Sequence, residues 1–401
     1  MVQMERYDVC VIGGGPAGYA AAMRTVDFDR SVLLVERERV GGAGIYNGAL
    51  SSKAFWEISR EIAAIRDKLE HYQVQAPAIA FAKVAAEVND AVRERADLLL
   101  RHMQLVQQRQ PGRFRYVQGS GRLLDPQHVQ VSGPEGTETL EVEHIVLATG
   151  SRPRTLPSIP IDERTIMTSD GVSSLRDFPR SIVILGAGVI GCEFATIFSN
   201  FGRTEVHLID KEPRILPFED ADLASVIQGN LERAGVLIHR QSRLVSMGIA
   251  DGQVEYTLEF ADKRQQRFTA EKALISVGRV PNVEGLGLEA LGIRCGPGGH
   301  ILDTSTRSSV PNVYAVGDLT ADIALVNVGE LEGRHAIERI FGQPQRDMAY
   351  DNISTIMFLS PETAGVGMNE LQAQKKGLSY RVASFGFECI PRAVAMRKTQ
   401  G

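Results

Sequence analysis

Residues 7–36 read YDVCVIGGGPAGYAAAMRTVDFDRSVLLVE. The run YDVCVI is short and apolar and leads into three glycines, the pattern of a buried strand that ends in a sharp turn. PAGYAAAMR supplies small residues for a closely packed helix, and SVLLVE is a second apolar strand ending at Glu36. Strand, glycine turn, helix and strand make a βαβ unit, which implies parallel strands in an α/β sheet. About 170 residues further on, SIVILGAGVIGCEFATIFSNFGRTEVHLID repeats the pattern from Ser181 to Asp210.

The glycines are spaced Gly13-x-Gly15-x-x-Gly18 in the first unit and Gly186-x-Gly188-x-x-Gly191 in the second. In such a triplet the first glycine permits the tight turn, the second lets backbone approach a pyrophosphate, and the third lets helix and strand pack closely. The helix N-terminus then offers free N–H groups and the positive end of its dipole to the phosphates. Glu36 follows Gly18 by 18 residues and Asp210 follows Gly191 by 19. Both stand at strand ends, where a carboxylate accepts from ribose hydroxyls. One such loop is a weak signal, but two, each with its strand, helix and acidic partner, predict two dinucleotide sites. A 2′-phosphate would meet a carboxylate, so the second site is expected to take NAD(H) over NADP(H). Lys211 and Arg214, just beyond Asp210, leave NADP(H) open.

At 401 residues the chain is expected to form two or three domains. Its net charge of -5 gives no reason to expect nucleic acid or an anionic membrane as partner. No run approaches the roughly 20 apolar residues of a spanning helix. MVQMERYDVCVIGGG carries no readable signal peptide, which points to the cytoplasm. Cys10, Cys192, Cys295 and Cys389 lie far apart, with no CxxC and no metal-ligand spacing. The expectation is a reducing compartment and no metal.

Between the two units, residues 52–68 and 81–109 read as helices, and 114–118 and 128–131 as strands broken by turn residues. From Asn352 the pattern changes to a strand (ISTIMF), a helix (NELQAQKKG) and a strand (YRVASFGF). That is the beginning of an α+β domain, and the chain stops before such a domain would close its sheet.

Seven segments in order resemble the pyridine nucleotide–disulfide oxidoreductase family, which includes lipoamide dehydrogenase, glutathione reductase and the Si-specific transhydrogenase. They are GGGPAG with Glu36, GGAGIYNGALSSKAF (Gly41–Phe55), LATGSRP (Leu147–Pro153), ILGAGVIGCEFA (Ile184–Ala195), VGRVPN (Val277–Asn282), VYAVGDLT (Val313–Thr320) and FLSPETAGVG (Phe358–Gly367). The resemblance implies two Rossmann-like domains, for FAD and NAD(P), followed by a C-terminal α+β interface domain that is truncated here. Residues 1–155 and 275–347 would form the FAD domain, 156–274 the NAD(P) domain and 348–401 the interface domain. The FAD residues implied are Gly13, Gly15, Gly18, Glu36, Gly42, Lys53, Thr149, Gly150 and Asp318, the last on the flavin ribityl chain. Those for the nicotinamide cofactor are Gly186, Gly188, Gly191, Asp210 and Gly278. Lys53 would lie by the isoalloxazine with Glu193 paired to it, and this pair is the implied catalytic element. The resemblance also implies a homodimer.

One segment departs from the family. Its disulfide reductases carry CxxxxC where this chain has Gly44 and Ala49. The flanking residues resemble the transhydrogenase, which keeps only the first cysteine. Without a thiolate beside the flavin no thiol can attack a disulfide. The expected activity is hydride transfer from NAD(P)H to FAD and on to NAD(P)+ or another small-molecule acceptor, Gly44 leaving room against the ring. The alternatives are a catalytically decayed or regulatory FAD- and NAD-binding protein, and a disulfide reductase using another thiol. No general base is assigned, and His335 is read as structural.

Overall fold

The structure, a computed structural model, describes residues 5–73, 78–342 and 346–401. Its contacts divide the chain into two units, one of Met1–Ser51, Asn89–Arg152 and Arg279–Tyr350, the other of Ser52–Val88, Pro153–Gly278 and Asp351–Gly401.

The first unit is built on β1 (Arg6–Ile12), β2 (Val32–Glu36), β3 (Phe114–Gln118), β4 (Ser120–Asp125), β5 (His128–Gly133) and β6 (Gly136–Leu147), in the spatial order β3-β2-β1-β6-β5-β4. β3, β2, β1 and β6 run parallel, and β4, β5 and β6 form an antiparallel meander. Val313–Ala315 adds a parallel strand to β6. Alternation along β1 divides the core. Val9 and Val11 pack with Ala17 and Ala21 of the Pro16–Asp27 helix. Cys10 and Ile12 pack on the other face with Leu123, Val129 and Val131 of the meander.

The second unit holds a five-stranded parallel sheet, in the order Leu237–His239, Glu205–Ile209, Ser181–Leu185, Lys272–Ile275 and Ile166–Thr168. An antiparallel sheet of Arg243–Ala250, Gln253–Glu259 and Gln265–Ala270 belongs to the same unit. The Val189–Phe201 helix is buried along nearly its whole length, so it carries few polar residues. Phe55, Trp56 and Phe81 pack into the same core.

The helices expected at 52–68 and 81–109 are present as Ala49–His71 and Phe81–Arg109. β4 is not expected from the sequence, because its ends carry turn residues, but its Leu123 is buried and it pairs with β5. The strand expected at YRVASFGF is not formed. Among the described residues nothing pairs with it, and Phe385 within it is 73% exposed. A strand without a partner has no ladder to satisfy its backbone. Ser354–Met357 does pair, with Thr363–Val366, and a capping box on Asn369 starts the Glu370–Lys375 helix.

Candidate functional site

In the first unit the loop after β1 is shaped by what each glycine touches. Gly13 has φ +107°, and a Cβ there would strike the Ala148 carbonyl; one on Gly18 would strike the Gly13 carbonyl. Gly15 differs, with nothing within 4 Å of such a Cβ. Gly15 is also the N-cap of the Pro16–Asp27 helix and provides no side-chain cap. The loop thus leaves open space in front of an uncapped helix N-terminus, which fits a pyrophosphate. Glu36 braces it, Oε2 accepting from Gly14 N at 2.6 Å and Oε1 from Glu38 N at 2.7 Å.

The remaining residues expected at FAD converge on this loop, Lys53 apart, since it lies in the second unit. Gly41 N donates to Gly14 O at 2.7 Å, and a Cβ on Gly42 would lie 3.4 Å from Gly15 Cα. Thr149 and Gly150 follow Ala148 and are tied to Asn282. The Thr149 hydroxyl donates to its carbonyl at 2.6 Å, and Asn282 N donates to Gly150 O at 2.9 Å. Asp318 Oδ2 accepts from the Ser151 hydroxyl at 2.6 Å, and Arg279 Nε donates to that same hydroxyl at 2.7 Å.

The second unit repeats the construction. Gly186 has φ +105° and lies against the Ser276 carbonyl, Gly191 lies against Gly186 O, and Gly188 alone has open space. Asp210 Oδ2 accepts from Ala187 N at 2.6 Å and Oδ1 from Glu212 N at 3.0 Å. The Gly188 N-cap provides no side-chain bond. Gly278 stands two residues from Ser276, whose hydroxyl donates to Gly186 O at 2.9 Å. Arg214 is engaged by its own loop, donating to the carbonyls of Leu216, Pro217 and Glu219 at 3.1, 2.9 and 2.6 Å. Lys211 remains solvated.

The same unit brings Lys53 and Glu193 together. Lys53 stands near the start of the Ala49–His71 helix and Glu193 in the first turns of Val189–Phe201. Their charged atoms are 2.9 Å apart, with Glu193 only 5% exposed. Phe358 completes the group. Its N–H donates to Glu193 Oε1 at 3.0 Å, its ring centroid is 4.7 Å from Lys53 Nζ, and Trp56 packs edge-on against it at 5.3 Å. Residue types and spacing hold no sign of Phe358, although it opens the FLSPETAGVG segment.

At Gly44 the structure corrects one expectation. The space a side chain would enter is filled by the Pro16 ring, whose Cδ would lie 3.0 Å from a Cβ, with Val326 close by. Gly44 is a packing contact rather than an opening. Cys10 and Cys192 are buried, and burial pushes both thiols up. Cys295 and Cys389 are exposed. His335 is buried on the Val326–Phe341 helix, 3.4 Å from the Ser305 hydroxyl, and burial holds its pKa down. Among the described residues no helix is long and apolar enough to cross a membrane.

Comparison with known proteins identifies the family. The profile of the pyridine nucleotide-disulphide oxidoreductase family matches residues 7–333, and that family's dimerisation domain matches 353–401. The dihydrolipoyl dehydrogenase of Bacillus subtilis is 30% identical over 398 residues, covering 98% of this chain and 84% of that protein. Dihydrolipoyl dehydrogenase 3 of Pseudomonas putida is 32% identical, covering 99% and 85%. Among solved structures, LpdA of Mycobacterium tuberculosis superposes with a TM-score of 0.88 at 25% identity, covering 99% of this chain and 85% of that one. The Cu(II) complex of the HOCl-induced flavoprotein disulfide reductase RclA of Escherichia coli gives 0.85 at 25%, covering 99% and 85%. With two dinucleotide loops of one design and matches along nearly its whole length, the chain belongs to the pyridine nucleotide-disulphide oxidoreductase family, whose FAD and NAD(H) Rossmann domains and C-terminal dimerisation domain it carries.

Proposed function

We propose that this oxidoreductase transfers hydride between nicotinamide dinucleotides, or from NAD(P)H to another small-molecule acceptor, without a CxxxxC dithiol. The observation that carries the reading is the pairing of what is kept with what is absent. The Lys53–Glu193 pair is intact, while the positions of the dithiol hold Gly44, packed on Pro16, and Ala49. FAD, when bound, supplies the ring that accepts and returns hydride.

The protein's own residues then have distinct tasks. The Gly13–Gly18 loop and Glu36 hold the dinucleotide part of FAD, with Gly42, Thr149, Gly150 and Asp318 around it. Lys53 supplies positive charge near the flavin, which favours a reduced, anionic ring, and Glu193 with Phe358 holds that ammonium in place. The Gly186–Gly191 loop, Asp210 and Gly278 hold the nicotinamide cofactor. NAD(H) is the expected one, because a 2′-phosphate on the ribose would meet the Asp210 carboxylate, and Arg214 is bound to loop carbonyls. In this reading 1–155 with 275–347 serve FAD, 156–274 serve NAD, and 348–401 mediate a homodimer in the cytoplasm.

A second reading is a dihydrolipoyl dehydrogenase-like protein that keeps its nucleotides for binding or regulation. The names of the relatives and the same absent dithiol favour it. Anaerobic stopped-flow spectroscopy separates the two. Rapid bleaching of the flavin by NADH, followed by hydride transfer to thio-NAD+ and none to lipoamide, supports the first. A flavin that neither NADH nor NADPH bleaches eliminates it.

A further inference from the structure

The first unit contains a buried carboxylate that the roles above do not use. Glu332 lies on the Val326–Phe341 helix and is 1% exposed. Its Oε2 accepts from Gly317 N at 2.5 Å and its Oε1 from the Tyr350 hydroxyl at 2.9 Å. Gly317 opens the short 3-10 turn Gly317–Leu319 and immediately precedes Asp318.

Close packing brings Glu332 there. A Cβ on Gly333 would strike the Ala17 carbonyl, and one on Gly329 would lie 3.3 Å from Ala17 Cβ. The missing side chains let the Val326–Phe341 helix lie directly on the Pro16–Asp27 helix. Glu332 sits one helical turn after Gly329, on that same face, so its carboxylate is delivered to the turn. Gly317 meets Ala17 as well, at 3.2 Å from its own would-be Cβ. The pyrophosphate-facing helix, the Asp318 turn and the second helix thus meet at one point, and Glu332 is the polar tie across it.

We propose that Glu332, fixed by Tyr350, is a positioning residue for the flavin, holding the Gly317–Leu319 turn so that Asp318 presents its carboxylate to FAD. Asp318 is then held from two sides, its side chain by Ser151 and its backbone turn by Glu332. The inference rests on the reading of Asp318 as a flavin-binding residue. A buried carboxylate is costly to keep, and burial raises its pKa to about 7, against the two bonds that favour the anion. Leucine or methionine would fill the helix contact at less cost but would leave the Gly317 N–H unpaired.

The test is flavin release from the purified, FAD-loaded full-length chain, followed as the rise of free-FAD fluorescence on dilution. Glu332→Ala should release flavin at least about tenfold faster. Glu332→Gln, whose amide oxygen can still accept from Gly317, should stay within about threefold of the unaltered chain. Equal release from Glu332→Ala and the unaltered chain overturns the inference, as does a Glu332→Gln chain as leaky as Glu332→Ala. If Glu332→Ala does not fold, Tyr350→Phe decides. It removes one hydroxyl and should speed release about two- to fivefold, and no change would overturn the proposal. Asp318→Asn separates the two layers. If it holds flavin like the unaltered chain, the reading of Asp318 fails and the role of Glu332 through it fails too. If Asp318→Asn releases flavin and Glu332→Ala does not, only the inference falls.

Discussion

Lys53 Nζ lies 2.9 Å from Oε2 and 3.1 Å from Oε1 of Glu193, so the ammonium bridges both oxygens of a carboxylate 140 residues away in sequence. The acid is buried, and it also accepts from the Phe358 N–H. Lys53→Ala would leave that carboxylate without its counter-charge. Such a loss should cost about 2–3 kcal/mol of stability, seen in urea unfolding, with a smaller cost for the double variant Lys53→Ala/Glu193→Gln. Bleaching of the flavin by NADH should slow at least about tenfold in Lys53→Ala. Unchanged bleaching would remove the pair from the catalytic reading.

The two glycine loops can be broken one at a time. Added carbon at Gly18 collides with Gly13 O, and at Gly191 with Gly186 O. Gly18→Ala is expected to purify without yellow colour. Gly191→Ala is expected to keep its flavin and to need at least about tenfold more NADH for half-maximal bleaching. Loss of flavin from Gly191→Ala with the fold intact would contradict the division of labour between the loops.

Placing a cysteine at position 44 should not create a disulfide reductase. A Gly44→Cys/Ala49→Cys chain must displace Pro16, which begins the phosphate-facing helix. The expected result is reduced flavin occupancy and no thiolate–flavin charge-transfer absorbance after one-equivalent reduction with dithionite. A clear charge-transfer band with full occupancy would show that the Pro16 contact is easily moved.

Glu332 ties stability to pH with a definite sign. Its folded pKa, about 7, lies above the ordinary glutamate value of 4.5, so between those values the folded chain binds more proton than the unfolded one. This contribution is fully present below about pH 4.5 and is lost as pH rises through 7. Its full size is about 3 kcal/mol. Thermal midpoints should therefore fall more steeply from pH 5 to 8 in the unaltered chain than in Glu332→Gln. Parallel profiles would assign the slope to other groups.

The parts legible in the sequence are those whose physics is local. Gly13 and Gly186 need positive φ and Gly18 and Gly191 need a missing side chain, requirements met within one strand–turn–helix. Glu36 and Asp210 close onto backbone N–H groups 22 and 23 residues away, within one βαβ unit. Contacts made by the folded chain are harder to see. Phe358 reaches Glu193 across 165 residues through its backbone N–H, which leaves no mark on residue type. Glu332 reads as one more acid on a charged helix until Gly329 and Gly333 bring that face onto Ala17. Gly44 misleads because a missing side chain suggests space, and only the fold shows Pro16 standing in it.

The acidic residues that close the two loops also settle when ordering is paid for. Each carboxylate oxygen already accepts an N–H of its own loop or strand end, and each retains lone pairs for a ribose hydroxyl. On the proposed assignment, a nucleotide arriving at either socket would meet a carboxylate already oriented by bonds the chain makes to itself.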